Sequence, residues 1–384
     1  MARSNEQTER ERAIRYSRTK EWLVLVGMIW SAAASVLALT TGLSSSVRDW
    51  ASAVAPKRLG PVMPYVLITA LASYVISLPL SYFGGYVVEH RYRLSNQSLR
   101  AWFVDGLKGL GVSIALGLPL AQGVYWVIRR YPNRWWAILS GALVPFSVLL
   151  SNLAPVLLMP LFNKFEPLRN RSLAKRITDL AAGEGVHVSD VLQMDMSKQT
   201  KKANAMFTGI GNTKRIILGD TLLDEFTDDE VEVVLAHELG HQVHRDLWKL
   251  IALQVPLTLA TFFAAHKLTR PIVNRFGKRW GLHVEEGAAD VAALPLLSLI
   301  GGGAGVVLGP VLNAIVRNFV EHPADAYALD LTRKRQPFIG AMEKLAKMNL
   351  SNPRPAAFVK WMLYDHPPIG ERIEFAQKYD LKAR

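Results

Sequence analysis

The chain has 384 residues, half of them hydrophobic, and a formal net charge of +13. It contains no cysteine, which excludes disulfide bonds and thiolate metal sites. The sequence has no nucleic-acid-binding module, so we expect no nucleic-acid partner, and we expect the positive charge to face anionic lipid headgroups of a bilayer.

Four long segments without a charged residue occupy the N-terminal region of the chain. They are Trp22–Val47, Leu59–Val88, Gly109–Ile128 and Trp135–Asn163. Each reaches the roughly 20 apolar residues that a bilayer-spanning helix requires. We therefore predict an N-terminal membrane domain of four spans over residues 1–163. The polar leader Met1–Glu21 carries six Lys or Arg residues, which favours a cytoplasmic N-terminus.

A polar segment follows, at residues 164–246, and its patterns predict the first segment of a small α+β domain. We expect a helix near Leu168–Glu184 and a strand near Val191–Met196. Ala203–Thr208 and Arg215–Leu218 have the pattern of a β-hairpin. The turn between these two strands contains Gly209, Gly211 and Asn212.

The segment His237–His241, with the sequence HELGH, has the residue types and spacing of a zinc hydrolase site. Histidines four residues apart lie on one face of an α-helix, so both can reach one metal ion. Glu238 lies between them and can accept a proton from a water molecule that the metal activates. Thr227 and Glu230 predict a capping box where this helix begins.

Glu321 is the candidate third metal ligand, because catalytic zinc sites have three protein ligands and one exchangeable position. Asp325 is four residues further on and shares a helix face with Glu321, so it is expected to hydrogen-bond a ligand histidine. His322 is the rival ligand, but on a helix it would point away from the face of Glu321. His244 would be rotated off the face of the ligand histidines and is expected to be a polar residue at the helix end. Pro323 removes a backbone donor, and we expect a kink there.

Two further apolar segments, Leu250–Ala265 and Val291–Val316, bring the predicted number of spans to six. Lys249 extends the first of them by snorkelling. Six spans place the zinc domain and the C-terminus with the N-terminus, on the cytoplasmic side. The loop Lys267–Asp290 then lies outside, where its five Lys or Arg residues oppose the positive-inside rule.

The predicted fold class is a mainly α-helical multi-pass membrane protein with about six transmembrane helices and a small α+β zinc metalloprotease domain. Its organisation alternates between membrane and catalytic segments. After the membrane domain at 1–163 come the first catalytic segment at 164–246, two transmembrane helices at 247–316, and the second catalytic segment at 317–384.

Six segments in this order carry a resemblance to a known family. They are Pro160–Phe165, Lys202–Gly209, Lys214–Leu223, the zinc motif, Arg317–Asp325 and Asp365–Ile373. Together they resemble the integral-membrane metallopeptidases typified by the type I CAAX prenyl protease, which include bacterial membrane quality-control proteases. Relatives commonly have Ser-Arg four and three residues before the glutamate ligand, where this chain has Arg317 and Asn318.

The resemblance also implies roles for four residues outside the metal ligands. Asn204 contacts the substrate backbone, and Ala205 lies beside it. His366 and Arg372 stabilise the oxyanion or bind a substrate carboxylate.

These features predict a membrane zinc endopeptidase with one Zn²⁺ held by His237, His241 and Glu321, and with Glu238 as general base. Its partners are the bilayer and a peptide or protein substrate. The resemblance implies either C-terminal processing of prenylated CAAX peptides or clearance of damaged membrane proteins, and the residues above favour neither. A catalytically silent zinc scaffold is a third alternative, which the intact Glu238 disfavours. A carrier or channel is disfavoured because the spans contain no embedded charge.

Overall fold

The computed structural model describes residues 2–56, 60–209 and 211–381. Met1, residues 382–384, Leu59 at the start of the second uncharged segment, and the side chain of Asn212 lie outside this description. The described helices are α1 (Ala2–Thr40), α2 (Leu43–Val54), α3 (Val62–Tyr82), α4 (Val88–Arg91), α5 (Leu99–Arg130), α6 (Trp135–Leu153), α7 (Arg171–Gly183), α8 (Asp220–Glu225), α9 (Asp228–Val243), α10 (Asp246–Phe276), α11 (Leu294–Val316), α12 (His322–Thr332), α13 (Arg335–Asn349), α14 (Ala357–Leu363) and α15 (Ile369–Lys378). The strands are β1 (Phe165–Pro167), β2 (Asp190–Met194), β3 (Ala205–Thr208) and β4 (Arg215–Gly219).

Six helical segments of the described chain are long and apolar enough to cross a membrane, which confirms the predicted number. They are Gln7–Thr40, Val62–Arg91, Leu99–Arg130, Trp135–Leu161, Asp246–Phe276 and Val291–Thr332. The first span ends at Thr40 rather than Val47, because Gly42 adopts a left-handed conformation with φ 73° and α2 begins after it. The polar leader is not separate from the span, since α1 is continuous from Ala2.

The catalytic sheet has the strand order β1-β2-β4-β3, with β3 at one edge. β3 pairs antiparallel with β4, from Ala205 opposite Leu218 to Thr208 opposite Arg215, which confirms the predicted hairpin. β2 lies parallel to β4 and antiparallel to β1. The predicted helix near Leu168 is α7, whose Asn170 caps the N-terminus by accepting a hydrogen bond from the backbone N–H of Leu173.

The sheet and the helices around it enclose one apolar core, in which α9 is the central helix. Its fully buried members include Leu218 of β4, Val233 of α9, Leu329 of α12 and Phe338 of α13. Burial of each such side chain stabilises the fold by about 1.5–3 kcal/mol. The predicted capping box is present at the start of α9, so the helix begins where the sequence places it.

The start of α1 contacts the catalytic domain directly. Ser17 donates from Oγ to the main-chain oxygen of Leu350 at 3.1 Å and accepts a hydrogen bond from the backbone N–H of Asn352 at 3.0 Å. Tyr364 donates to Glu21 at 3.1 Å. The N-terminal end of the first span and the catalytic domain therefore lie at the same end of the helical bundle.

Candidate metal centre

Three side chains from two helical regions converge in the catalytic domain: His237 and His241 of α9, and Glu321 just before α12. Nε2 of His237 lies 3.3 Å from Nε2 of His241 and 3.4 Å from Oε2 of Glu321. Nε2 of His241 lies 3.8 Å from Oε1 of Glu321. Donor atoms at about 2.0–2.1 Å from one tetrahedral zinc ion are about 3.3 Å apart. The structure thus brings the predicted ligand set together at a spacing that suits one metal ion.

Each of the two histidines is held by a carboxylate at its other ring nitrogen. Nδ1 of His237 lies 2.9 Å from Oδ1 of Asp325, the contact expected from the sequence. Nδ1 of His241 lies 2.9 Å from Oδ2 of Asp246. A carboxylate at Nδ1 favours the tautomer with the proton on that nitrogen, which leaves Nε2 free as a metal donor.

Asp246 is a residue of the site that the sequence pattern did not predict, because it follows α9 rather than lying on it. Arg245 adopts a left-handed conformation, φ 57° and ψ 38°, which turns the chain so that α10 begins at Asp246. Lys249 donates to Oδ1 of the buried Asp246 at 2.8 Å. Lys249 therefore contacts the site, in addition to the snorkelling role that we expected. The signal in the sequence that could have indicated Asp246 was an acidic residue five positions after the second histidine, His241.

Glu321 reaches the site through a π-helical turn, Arg317–Glu321, that joins α11 to α12. Pro323 then lies in the first turn of α12, where proline is tolerated. The kink expected at Pro323 stays a prediction, and the described change in helix type lies before this residue, at Arg317–Glu321. Arg317 is buried and donates to the main-chain oxygen of Tyr364 at 2.6 Å, which ties this turn to the segment after α14.

Arg372 of α15 is buried and binds the carboxylate of Asp325. Its Nε lies 2.9 Å from Oδ2 of Asp325, its Nη2 also binds this carboxylate, and Nη2 lies 3.3 Å from Nδ1 of His237. Burial lowers the pKa of Arg372, but Asp325 outweighs burial and raises it above its ordinary value. Arg372 also lines the cleft, so the contact with substrate that the resemblance implies stays a prediction.

The electrostatics of the site suit a divalent cation. Burial and the Arg372 guanidinium lower the pKa of His237, but the carboxylates of Asp325 and Glu321 outweigh both and raise it to about 9. Oε2 of Glu321 is buried and accepts no hydrogen bond from the described residues. Two imidazole nitrogens and one carboxylate oxygen form a donor set that zinc accepts. The residues therefore fit a zinc ion.

A cleft of about 400 Å³ opens beside the metal centre and is lined by one of the three ligand candidates, His237. Glu238 is half-buried and lines it, as do the exposed Asn204 and the neighbouring Ala205. Ala205 begins β3, whose outer edge carries backbone groups that an added strand can pair with. The candidate base and the candidate substrate-binding residues therefore border the same cavity.

His366 lines the same cleft and approaches the ligand set from the segment after α14. Its Nε2 lies 3.3 Å from Oε1 of Glu321, and its Nδ1 lies 2.9 Å from Oδ1 of Asp365. The hydrogen bond with Asp365 raises the pKa of His366. Its side chain is 55% exposed, so the imidazole can also reach a molecule in the cleft.

Two other histidines lie near the site but do not contribute donor atoms to it. His244 is the C-cap of α9, as its position at the helix end predicts. The ring of His322 packs against Phe375 with a centroid distance of 5.6 Å. The ligand group found among the described residues contains neither of them.

Two family models match the chain in succession. Residues 1–164 match the CAAX prenyl protease N-terminal domain, described as five membrane helices, and residues 167–380 match peptidase family M48. The described portion of the first region contains four helical segments of spanning length. The additional helix α2, with 12 residues, is too short to span.

Relatives of known sequence match almost the whole chain. The "Uncharacterized metalloprotease YhfN" of Bacillus subtilis is 32% identical and covers 95% of this chain and 85% of that protein. CAAX prenyl protease 1 of Saccharomyces cerevisiae is 28% identical, with coverage of 93% and 83%.

A solved structure shows the same fold. The crystal structure of S. mikatae Ste24p matches with a TM-score of 0.85 at 24% identity and covers 97% of this chain and 89% of that chain. The family match, the membrane spans and the converging donor atoms agree with one another. The chain therefore belongs to peptidase family M48 and is an integral-membrane metallopeptidase, a hydrolase of peptide bonds.

Proposed function

We propose that this chain is a zinc endopeptidase whose substrates are the C-terminal segments of prenylated CAAX proteins. The observation that carries the activity is the position of Glu238, in a cleft between three converging donor atoms and the edge strand β3. The substrate class is supported by relatives such as the yeast CAAX prenyl protease 1. The family match and these relatives do not favour general quality control or a silent scaffold.

His237, His241 and Glu321 would hold one zinc ion per chain. When bound, zinc supplies Lewis-acid chemistry, since it polarises a peptide carbonyl and lowers the pKa of a water molecule. Asp325 and Asp246 keep the two imidazoles in the orientation that directs Nε2 toward Glu321.

Glu238 acts as the general base that takes a proton from the attacking water and then passes it to the leaving amine. His366 donates an N–H to the oxygen on which negative charge develops. Arg372 acts through Asp325, so we assign it a positioning role and not direct contact with substrate.

The peptide binds as an added strand along the free edge of β3, through main-chain hydrogen bonds. The exposed Asn204 side chain borders the cleft immediately before β3 and hydrogen-bonds the substrate backbone. Ala205, the next residue, is small and lets the peptide approach the strand closely.

We also propose that the catalytic domain is cytoplasmic and that the chain divides into the four regions predicted above. The proposal is supported by the hydrogen bond between Ser17 and Leu350, which joins the positively charged leader to the catalytic domain, because positively charged leaders favour the cytoplasmic side. Because the chain has no cysteine, single introduced cysteines report sidedness. Cytoplasmic labelling of Gln377→Cys and external labelling of Glu285→Cys are expected, and the reverse pattern would contradict this orientation.

The substrate proposal is tested with three substrates and the purified, zinc-loaded protein. These are a prenylated CAAX peptide, the same peptide without its prenyl group, and an unfolded protein. We expect release of C-terminal residues from the prenylated peptide in preference to the other two. Equal cleavage of the unfolded protein would favour quality control instead, and full zinc occupancy without any hydrolysis would favour a silent scaffold.

A further inference from the structure

A second cavity, of about 510 Å³, lies between the turn that follows β3 and the C-terminal end of α9. Its lining includes Gly209 and Lys214 of the hairpin, His241, Gln242 and Arg245 at the end of α9, and Trp248 of α10. These residues are here called the basic pocket. The pocket shares the metal-ligand candidate His241 with the metal centre.

The catalytic cleft and the basic pocket follow each other in the same order along β3 with its turn and along α9. The cleft is lined by Ala205 at the start of β3, and the pocket is lined by Gly209 directly after the end of β3. Along α9, the cleft meets His237 and Glu238, and the pocket meets His241. Four residues of extended chain cover about 13 Å, so a peptide added to β3 at the cleft reaches the pocket within about four residues.

The pocket carries positive charge that the described residues leave uncompensated. Its lining contains no carboxylate, and neither the Lys214 ammonium nor the Arg245 guanidinium has an ion pair with a described residue. Asp246 is nearby, but its two oxygens are engaged by His241 and Lys249. A peptide with acidic side chains at the basic pocket is electrostatically complementary to it, whereas a peptide with basic side chains there is repelled.

We propose that the basic pocket is a substrate subsite that selects acidic side chains within about four residues of the scissile bond. This selection rests on the proposed peptidase function and adds a substrate preference to it. A lipid phosphate is negatively charged, as an acidic side chain is. The position of the pocket next to the end of β3 and to His241 favours a peptide. Lipid binding is therefore an outcome of the test.

Binding is measured with zinc-loaded Glu238→Gln protein, so that no peptide is consumed. Fluorescent peptides carry three Glu, three Ser or three Lys residues, placed toward the N-terminus in one series and toward the C-terminus in the other. In one series only, the Glu peptide is expected to bind about threefold to tenfold more tightly than the Ser peptide, and the Lys peptide more weakly. The preference shrinks as salt screens the charges.

A charge-reversed variant tests whether the two basic residues cause the preference. The Lys214→Glu/Arg245→Glu protein is expected to reverse the order of the Glu and Lys peptides. A matched control, Lys278→Glu/Arg279→Glu, makes the same change in net charge at exposed positions beyond the other end of α10 and is expected to keep the original order. Zinc content and circular dichroism verify that both proteins fold.

Equal binding of all peptides to the Glu238→Gln protein, or an order that survives the reversal, would overturn the subsite. Loss of binding to phosphatidylglycerol vesicles on reversal, without a peptide preference, would overturn it in favour of a lipid phosphate site. Cleavage by the wild-type protein is measured separately by mass spectrometry. Absence of cleavage there contradicts the peptidase function, while the binding order still decides the subsite.

Discussion

Nδ1 of His241 lies 2.9 Å from Oδ2 of Asp246, the first residue of the fifth membrane-spanning segment. The contact joins the metal-binding helix α9 to the membrane helix α10 across a two-residue turn, His244 and Arg245, in which Arg245 is left-handed. Glu321 likewise follows the sixth apolar helix, α11, through one π-helical turn. Two of the three donor side chains are therefore positioned by the ends of membrane helices.

Asp246→Asn is expected to weaken zinc binding by about tenfold, because carboxylates that orient a ligand histidine contribute about 10- to 100-fold to metal affinity. Competition with a chelator of known affinity measures the change. Lys249→Met is the matched control, since it removes the other partner of Asp246, and affinity is expected to change by less than about threefold. Equal losses in both variants would mean that Asp246 acts only through the local structure.

Arg372→Met is expected to destabilise the catalytic domain by about 3–5 kcal/mol, because it leaves the fully buried Asp325 without its guanidinium partner. Thermal unfolding in detergent at matched zinc occupancy measures the loss. The matched control is Arg354→Met, which removes a pair with Glu374 whose side chains are 68% and 45% exposed. The Arg354→Met substitution is expected to lower the free energy of unfolding by less than about 1 kcal/mol. Similar unfolding temperatures for the two variants would contradict the structural importance of Arg372.

Lys202→Met is expected to raise KM by about tenfold while zinc content and kcat change little, because loss of a charged hydrogen bond loosens the start of the substrate strand. Nζ of Lys202 lies 2.8 Å from the hydroxyl of Tyr16 and 3.0 Å from Oε2 of Glu89, both in the membrane domain. These contacts hold the chain two residues before Asn204.

Two further variants separate positioning from general damage at this site. Lys202→Arg retains the charge and is expected to recover most of the affinity for substrate. Lys201→Met changes the exposed neighbouring residue and is expected to leave KM unchanged. A loss of kcat equal to the rise in KM would contradict a role confined to substrate binding.

Glu230 is expected to make the stability of α9 depend on pH. Burial raises the pKa of Glu230, but the Lys344 ammonium and the backbone N–H of Thr227 outweigh burial and hold the pKa below its ordinary value. A carboxyl whose pKa is depressed by folding stabilises the protein above its unfolded value of about 4.3, and this contribution is lost as pH falls through the folded pKa.

Glu230→Gln is therefore expected to lower the free energy of unfolding by about 1 kcal/mol at pH 7, and by progressively less below about pH 4. Unfolding midpoints of wild type and variant, measured in parallel over this range, give the difference, so that acid effects common to both proteins cancel. A difference that stays constant down to the lowest pH would show that the charge of Glu230 does not contribute.

Local patterns account for the features of the fold that the sequence predicted well. The capping box at Thr227, the histidine spacing in α9 and the alternation in the hairpin each act over a few residues. The number of spans also follows from composition, because each apolar segment can be recognised by its own length and hydrophobicity. Span ends were less predictable, because Gly42 breaks the first apolar segment and the polar leader continues the helix before it.

Contacts that depend on the geometry between elements were not predictable. Asp246 meets His241 because the left-handed Arg245 turns the chain, and an acidic residue five positions after a histidine does not by itself indicate that turn. The contact of Arg372 with Asp325 depends in the same way on the packing of α15 against α12, which the sequence does not reveal. The π-helical turn that presents Glu321 is likewise a consequence of how α11 and α12 must join.

The central claim is that Glu238 is the general base beside a metal held by His237, His241 and Glu321. The most direct measurement compares wild-type and Glu238→Gln proteins for bound zinc and for the rate of peptide hydrolysis. We predict equal zinc, one ion per chain, and a loss of kcat of at least about 100-fold, since general base catalysis contributes at least this factor. Full activity in the Glu238→Gln protein at equal zinc occupancy would contradict the account.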